Sequence, residues 1–154
     1  MKTGAVAMFL ALMAVIGTTG AGELGGTKAA GKVESISLKG RDYTVSPELP
    51  GEILGTYRYE EKGEPIVEIR ADGTGLFQPH GMPAIPIKIW IDVDQNGVPR
   101  REVGSELRYR YTLLVQYGAG GDGNYPAGGY NLLDVTMLKD DGIAVVLGER
   151  IRRL

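Results

Sequence analysis

The sharpest chemical pattern in the chain is the run Asp92-Val93-Asp94-Gln95-Asn96-Gly97. Oxygen-bearing side chains at alternate positions, followed by a glycine for a sharp bend, match the first half of a calcium loop. Asp92, Asp94 and Asn96 are therefore the candidate metal ligands. The second half departs from that pattern. The twelfth position is Val103, where a bidentate Glu belongs; Glu102 is one residue early, and the flanks read as strands. Asn96-Gly97 is also a strong hairpin signal. The segment reads first as a turn, and calcium is the one cofactor it leaves open.

Asp92 and Asp94 also share one strand face beside Trp90. Two residues along a strand span roughly 6.6 Å, near the lower end of carboxylate spacing in inverting glycosidases. Solvated strand faces produce the same pattern, so a hydrolase is the weakest of the functional readings. His80 is the single histidine, and it sits between Pro79 and Gly81 in a loop. No G-x-S-x-G motif accompanies it, and a zinc site normally uses several His or Cys ligands. The chain has no cysteine, so disulfides, thiolate metal sites and cysteine nucleophiles are excluded. These features point away from an enzyme.

The remaining candidates are aromatic. Tyr57, Tyr59, Tyr109 and Tyr111 fall on apolar strand faces, and Trp90 is the only tryptophan. They serve as core filling, or they line a pocket whose hydroxyls meet a ligand. On the second reading these five are the candidate ligand-binding residues, and the ligand is a small apolar molecule.

Strands must position these groups. Residues 85–93 alternate strictly: Ile85, Ile87, Ile89, Ile91 and Val93 face one way, and Lys88, Trp90 and Asp92 the other. Residues 107–117 place Leu107, Tyr109, Tyr111, Leu113, Val115 and Tyr117 on one face. Further strands are expected over 66–71, 75–78, 130–138 and 143–147, with turns at Asp72-Gly73, Asn96-Gly97 and residues 139–142. Residues 118–129 form a glycine-rich loop, read as a lid over one end of the core. No segment after residue 22 shows helical periodicity. The expectation is an all-β fold: a single antiparallel up-and-down barrel or sandwich of about eight strands.

Residues 1–22 read as a cleavable signal helix. Lys2 precedes an apolar run over 5–16, and small residues fill 17–22. The run is shorter than the roughly 20 residues of a membrane-spanning helix. The expected organisation is thus a signal over 1–22, a flexible leader with edge strands over 23–52, and a β-domain over 53–154. The address is the periplasm or the cell exterior, with no stable membrane insertion once the signal is removed. A net charge of −2 gives no argument for nucleic acid.

Gly55-Thr56-Tyr57, the meandering hairpins that follow and a terminal strand closing near Arg150 resemble the lipocalin-like barrels. That family carries Gly-x-Trp in its first strand; here Tyr57 takes the third position. The resemblance implies an up-and-down barrel holding a small apolar ligand. Function then divides into two readings. One is an exported, non-enzymatic binding module for a small hydrophobic or amphipathic ligand. The other is an envelope-associated structural or interaction protein with a filled core, stiffened by calcium.

Overall fold

The computed structural model describes residues 31–59, 63–105, 108–138, 143–146 and 149–154. The signal over 1–22 and the start of the leader lie outside the described residues. The described chain is all-β, with antiparallel pairing throughout. In order, the strands are β1 (Glu34–Leu38), β2 (Arg41–Ser46), β3 (Gly55–Tyr59), β4 (Ile66–Ile69), β5 (Thr74–Gln78), β6 (Ile85–Asp92), β7 (Arg101–Ser105), β8 (Arg108–Tyr117), β9 (Tyr130–Leu138), β10 (Ile143–Val146) and β11 (Glu149–Arg153). A single 3-10 turn, Gly51–Ile53, precedes β3.

The described residues form eleven strands, against the expected eight or so. The β1–β2 hairpin lies within the 23–52 stretch and joins the same sheet: Val45 and Ser46 of β2 pair with Asp92 and Ile91 of β6. Val45 is fully buried, so Ile53 does not mark the start of the packed chain. The edge strands expected over 23–52 are thus this hairpin, and β7 is a strand the sequence does not declare. Its sequence, REVGS, holds one apolar residue and a glycine, and so gives no period to read.

β6 carries three partners. β5 and β2 share one of its edges, and β8 takes the other. In the succession β3–β4–β5–β6–β8–β9–β10–β11 each strand pairs with the next, and β11 pairs in turn with β3.

The period of two in β6 places its apolar residues as expected. Ile85, Ile87, Ile89, Ile91 and the following Val93 are at most 4% exposed, while Lys88 is exposed and Trp90 and Asp92 are half-buried. β8 does the same with Tyr111, Leu113, Val115 and Tyr117. Leu114 breaks the alternation. It pairs with Trp90 on the opposite face of the sheet and is still only 1% exposed.

The core carries an aromatic cover at one end. There Tyr125, from the 118–129 loop, packs edge-on to Phe77 and Tyr117 at centroid distances of 5.5 and 5.4 Å. Backbone bonds tie that loop down: Gly118 N donates to Pro86 O at 2.7 Å, and Gly128 N to Tyr117 O at 2.8 Å. The expected lid is therefore seated through Tyr125. Elsewhere in the core, Ile53 of the 3-10 turn is fully buried, and its carbonyl accepts the buried Tyr57 hydroxyl at 2.9 Å.

Candidate functional site

The Asp92–Gly97 segment folds as the tip of a hairpin. Asp94 N donates to Val98 O, Gly97 N donates to Asp94 O, and Val93 bridges to Pro99. The turn is a three-residue loop, Gln95-Asn96-Gly97, and not the two-residue Asn-Gly form. Gly97, at φ 77°, takes the left-handed position that closes such loops, while Asn96 keeps a negative φ. Asp94 Oδ1 accepts from Asn96 N at 2.8 Å and Val98 N at 3.0 Å. Its carboxylate thus holds the turn. Asp92 lies beside Arg100, Oδ2 to Nε 3.6 Å. Burial pushes the Asp92 carboxyl above its usual range, with Arg100 opposing the shift. Among the described residues no group of three or more His, Asp or Glu side chains gathers in metal-binding proximity.

The five aromatic candidates separate. Tyr57, Tyr109 and Tyr111 converge on the 3-10 turn. The hydroxyls of Tyr109 and Tyr111 both donate to the Glu52 carboxylate, from Tyr109 at 2.8 Å, and the two rings meet edge-on at 5.8 Å. Arg101 lies 5.0 Å over the Tyr109 ring. Burial first, then the Glu52 carboxylate, pushes the Tyr109 and Tyr111 phenols above their ordinary range. Tyr57 is raised by burial as well. Tyr59 stands apart, half-buried and edge-on to the exposed His80 at 5.8 Å. Trp90 lies on the opposite sheet face. Its Nε1 donates to Glu34 Oε2 at 3.0 Å, and Tyr130 is 6.2 Å away.

Among the described residues, little room is left between the core faces. An interior cavity lined by Val67, Phe77, Ile87, Val115, Tyr117 and Leu133 has a volume of about 10 Å³. That is about one water-sized probe sphere, well short of the roughly 300 Å³ at which ligand pockets begin.

Surface concavities are larger than this interior cavity. A cleft of about 360 Å³ is bounded by Glu48, Leu49 and Pro50 on one side and by Asn96, Gly97, Val98 and Pro99 on the other, with Arg101 and Tyr111 also lining it. Sequence reasoning named Tyr111 and Asn96 but missed Glu48, Glu52 and Arg101. Glu48 and Glu52 flank Pro50 in a stretch with no period, so only the folded chain brings them to Tyr111 and Arg101.

No family model matches this chain, and no curated protein or solved structure matches it either.

Proposed function

We propose that the chain is an exported, non-enzymatic β-barrel module with a filled core, which meets its partners on its outer surface. The barrel is supported by the succession of ladders from β3 through β6 and β8 to β11, with β11 paired back to β3. The contact of Arg153 with the 3-10 turn, 101 residues earlier, supports it too. The observation that carries the filled-core reading is the interior cavity of about 10 Å³. Large Ile, Leu, Phe and Tyr side chains meet across the interior, and Tyr125 covers the Phe77 and Tyr117 rings. A chamber for a small apolar ligand would require the inner side chains to move apart, against the close packing of protein interiors. The tyrosines that would line it are committed instead, Tyr57 to Ile53 and Tyr109 and Tyr111 to Glu52.

Export rests on the sequence of residues 1–22. The test expresses the whole chain in a bacterial host, separates periplasm from cytoplasm, and takes the released protein to native mass spectrometry. The expected result is a processed chain beginning near Glu23, in the periplasm, at its bare mass. A cytoplasmic chain that keeps Met1 opposes export, and a stoichiometric apolar adduct opposes the filled core.

A further inference from the structure

Two opposite charges line the 360 Å³ cleft, and neither is neutralised by a charge among the described residues, Arg101 resting over the Tyr109 ring. Arg101 and Glu48 make no ion pair among the described residues. Nearby charges behave differently. Arg100 pairs with Asp92, Arg110 with Glu102 and Asp134, and Lys32 with Glu34. Arg101 and Glu48 are thus left more than 4.0 Å from any opposite charge among the described residues, with an open cleft that both of them border.

The cleft also has apolar walls. Leu49, Pro50, Val98 and Pro99 line it, and Val98 is 56% exposed at the tip of its turn. Two glycines of the lining sit close against their neighbours. A Cβ on Gly31 would come 2.7 Å from Glu48 Oε2, and one on Gly97 would come 3.2 Å from Val33 Cγ2. Parts of the lining are set in advance. Asp94 Oδ1 holds the Asn96–Val98 turn, Ser46 Oγ accepts Glu48 N at 3.1 Å, and the Tyr111 hydroxyl is held by Glu52. A site ordered before binding loses less freedom when a ligand arrives.

We infer that this cleft binds a small zwitterion of dipeptide size, its carboxylate on Arg101, its ammonium on Glu48 and its side chains against Leu49, Pro50, Val98 and Pro99. A simple anion meets Arg101 but is repelled by Glu48, and a simple cation meets the reverse. A ligand carrying both charges satisfies both groups, and the guanidinium offers a fork suited to a carboxylate. The volume lies within the range of small-molecule sites. The inference goes beyond the filled-core reading and does not depend on it, because the cleft lies outside the core.

The test is an amide ¹⁵N–¹H titration of the purified protein with L-alanyl-L-leucine, with its N-acetylated, C-amidated form as the comparison. Saturable shifts at Asn96, Gly97, Val98 and Arg101 are expected, with dissociation in the millimolar range or tighter. The capped peptide should bind at least about tenfold more weakly, equivalent to the loss of roughly 1.4 kcal/mol. Arg101→Gln and Glu48→Gln should each weaken binding several-fold, and Arg101→Lys should recover part of it. Both side chains are exposed, and preserved spectra away from the cleft show that a variant is folded. Absence of saturable shifts at tens of millimolar dipeptide overturns the inference. Equal binding of free and capped peptide, or binding unchanged in both Gln variants, overturns it as well.

Discussion

Arg153 Nη1 donates to the backbone carbonyl of Glu52 at 3.1 Å, joining the last strand to the 3-10 turn ahead of β3. The same side chain crosses Gly55. A Cβ there would lie 2.9 Å from Arg153 Nε, and Gly55 has φ 140°. The glycine is required on two counts, space and backbone. Gly55→Ala should destabilise the protein by about 1–3 kcal/mol through the strained backbone alone. Adding Arg153→Ala removes the clash but leaves the φ penalty, so the double variant should not return to the stability of Arg153→Ala by itself. Urea denaturation of the four proteins measures this, and full recovery would show that only the clash mattered.

The tyrosine cluster predicts an alkaline limit. Tyr57, Tyr109, Tyr111 and Tyr117 all have phenols raised above the ordinary value, burial being the first cause in each. A raised phenol favours the folded state in its protonated form. The contribution is complete below the unfolded value near pH 10 and is lost as pH rises through the folded values. Stability should fall steadily above about pH 10, and absorbance near 295 nm should show phenols ionising late, with unfolding. Glu52→Gln removes the charge that raises Tyr109 and Tyr111, so these two should ionise earlier. An unshifted titration in that variant counts against the Glu52 contact.

Trp90 reports on the β1–β2 hairpin. Lys32 first, then the Trp90 indole, holds the Glu34 carboxyl below its ordinary range. A lowered carboxyl contributes above its unfolded value, near pH 4.3, and the contribution fades as pH falls through the folded value. Fluorescence of this single tryptophan should change on acidification before the global transition, and Glu34→Gln should abolish the early step. An identical acid profile in the variant contradicts the contact.

The hairpin tip makes a prediction about calcium. Asp94 Oδ1 already accepts two backbone amides within the turn. Asp94→Ala should cost roughly 1–2 kcal/mol by leaving those amides unheld. The drop in melting midpoint should be the same in millimolar calcium and in chelator. A wild-type midpoint that rises with calcium, with the rise absent in Asp94→Ala, would support the ion-binding reading of Asp92, Asp94 and Asn96.

The sheet was legible where side chains alternate. Ile85 to Val93 and Tyr111 to Tyr117 declare their faces because one side is apolar and the other is not. β7 was not legible, since Val103 is its one apolar residue and it is 66% exposed. The turn at Asn96-Gly97 was foreseen, but its three-residue form depends on Asp94 holding the backbone, which the dipeptide alone does not reveal. The tyrosines were identified as a group, yet their roles come from Glu52 and Ile53, which meet them only through the fold. Leu114 was equally hidden. It lies on the face that alternation assigns to solvent, opposite Trp90, and is nevertheless buried.

The most direct test of the filled core is xenon binding followed by methyl NMR, because xenon enters dry apolar cavities. Leu133→Ala serves as the positive control. It opens a cavity beside Val67 and Val115 at a cost of about 2–5 kcal/mol and should bind xenon. In the wild-type protein the methyls of Val67, Ile87, Val115 and Leu133 should show no saturable shift. Saturable wild-type shifts at those methyls, comparable to the control, would contradict the filled core and return the interior to the role of a ligand chamber.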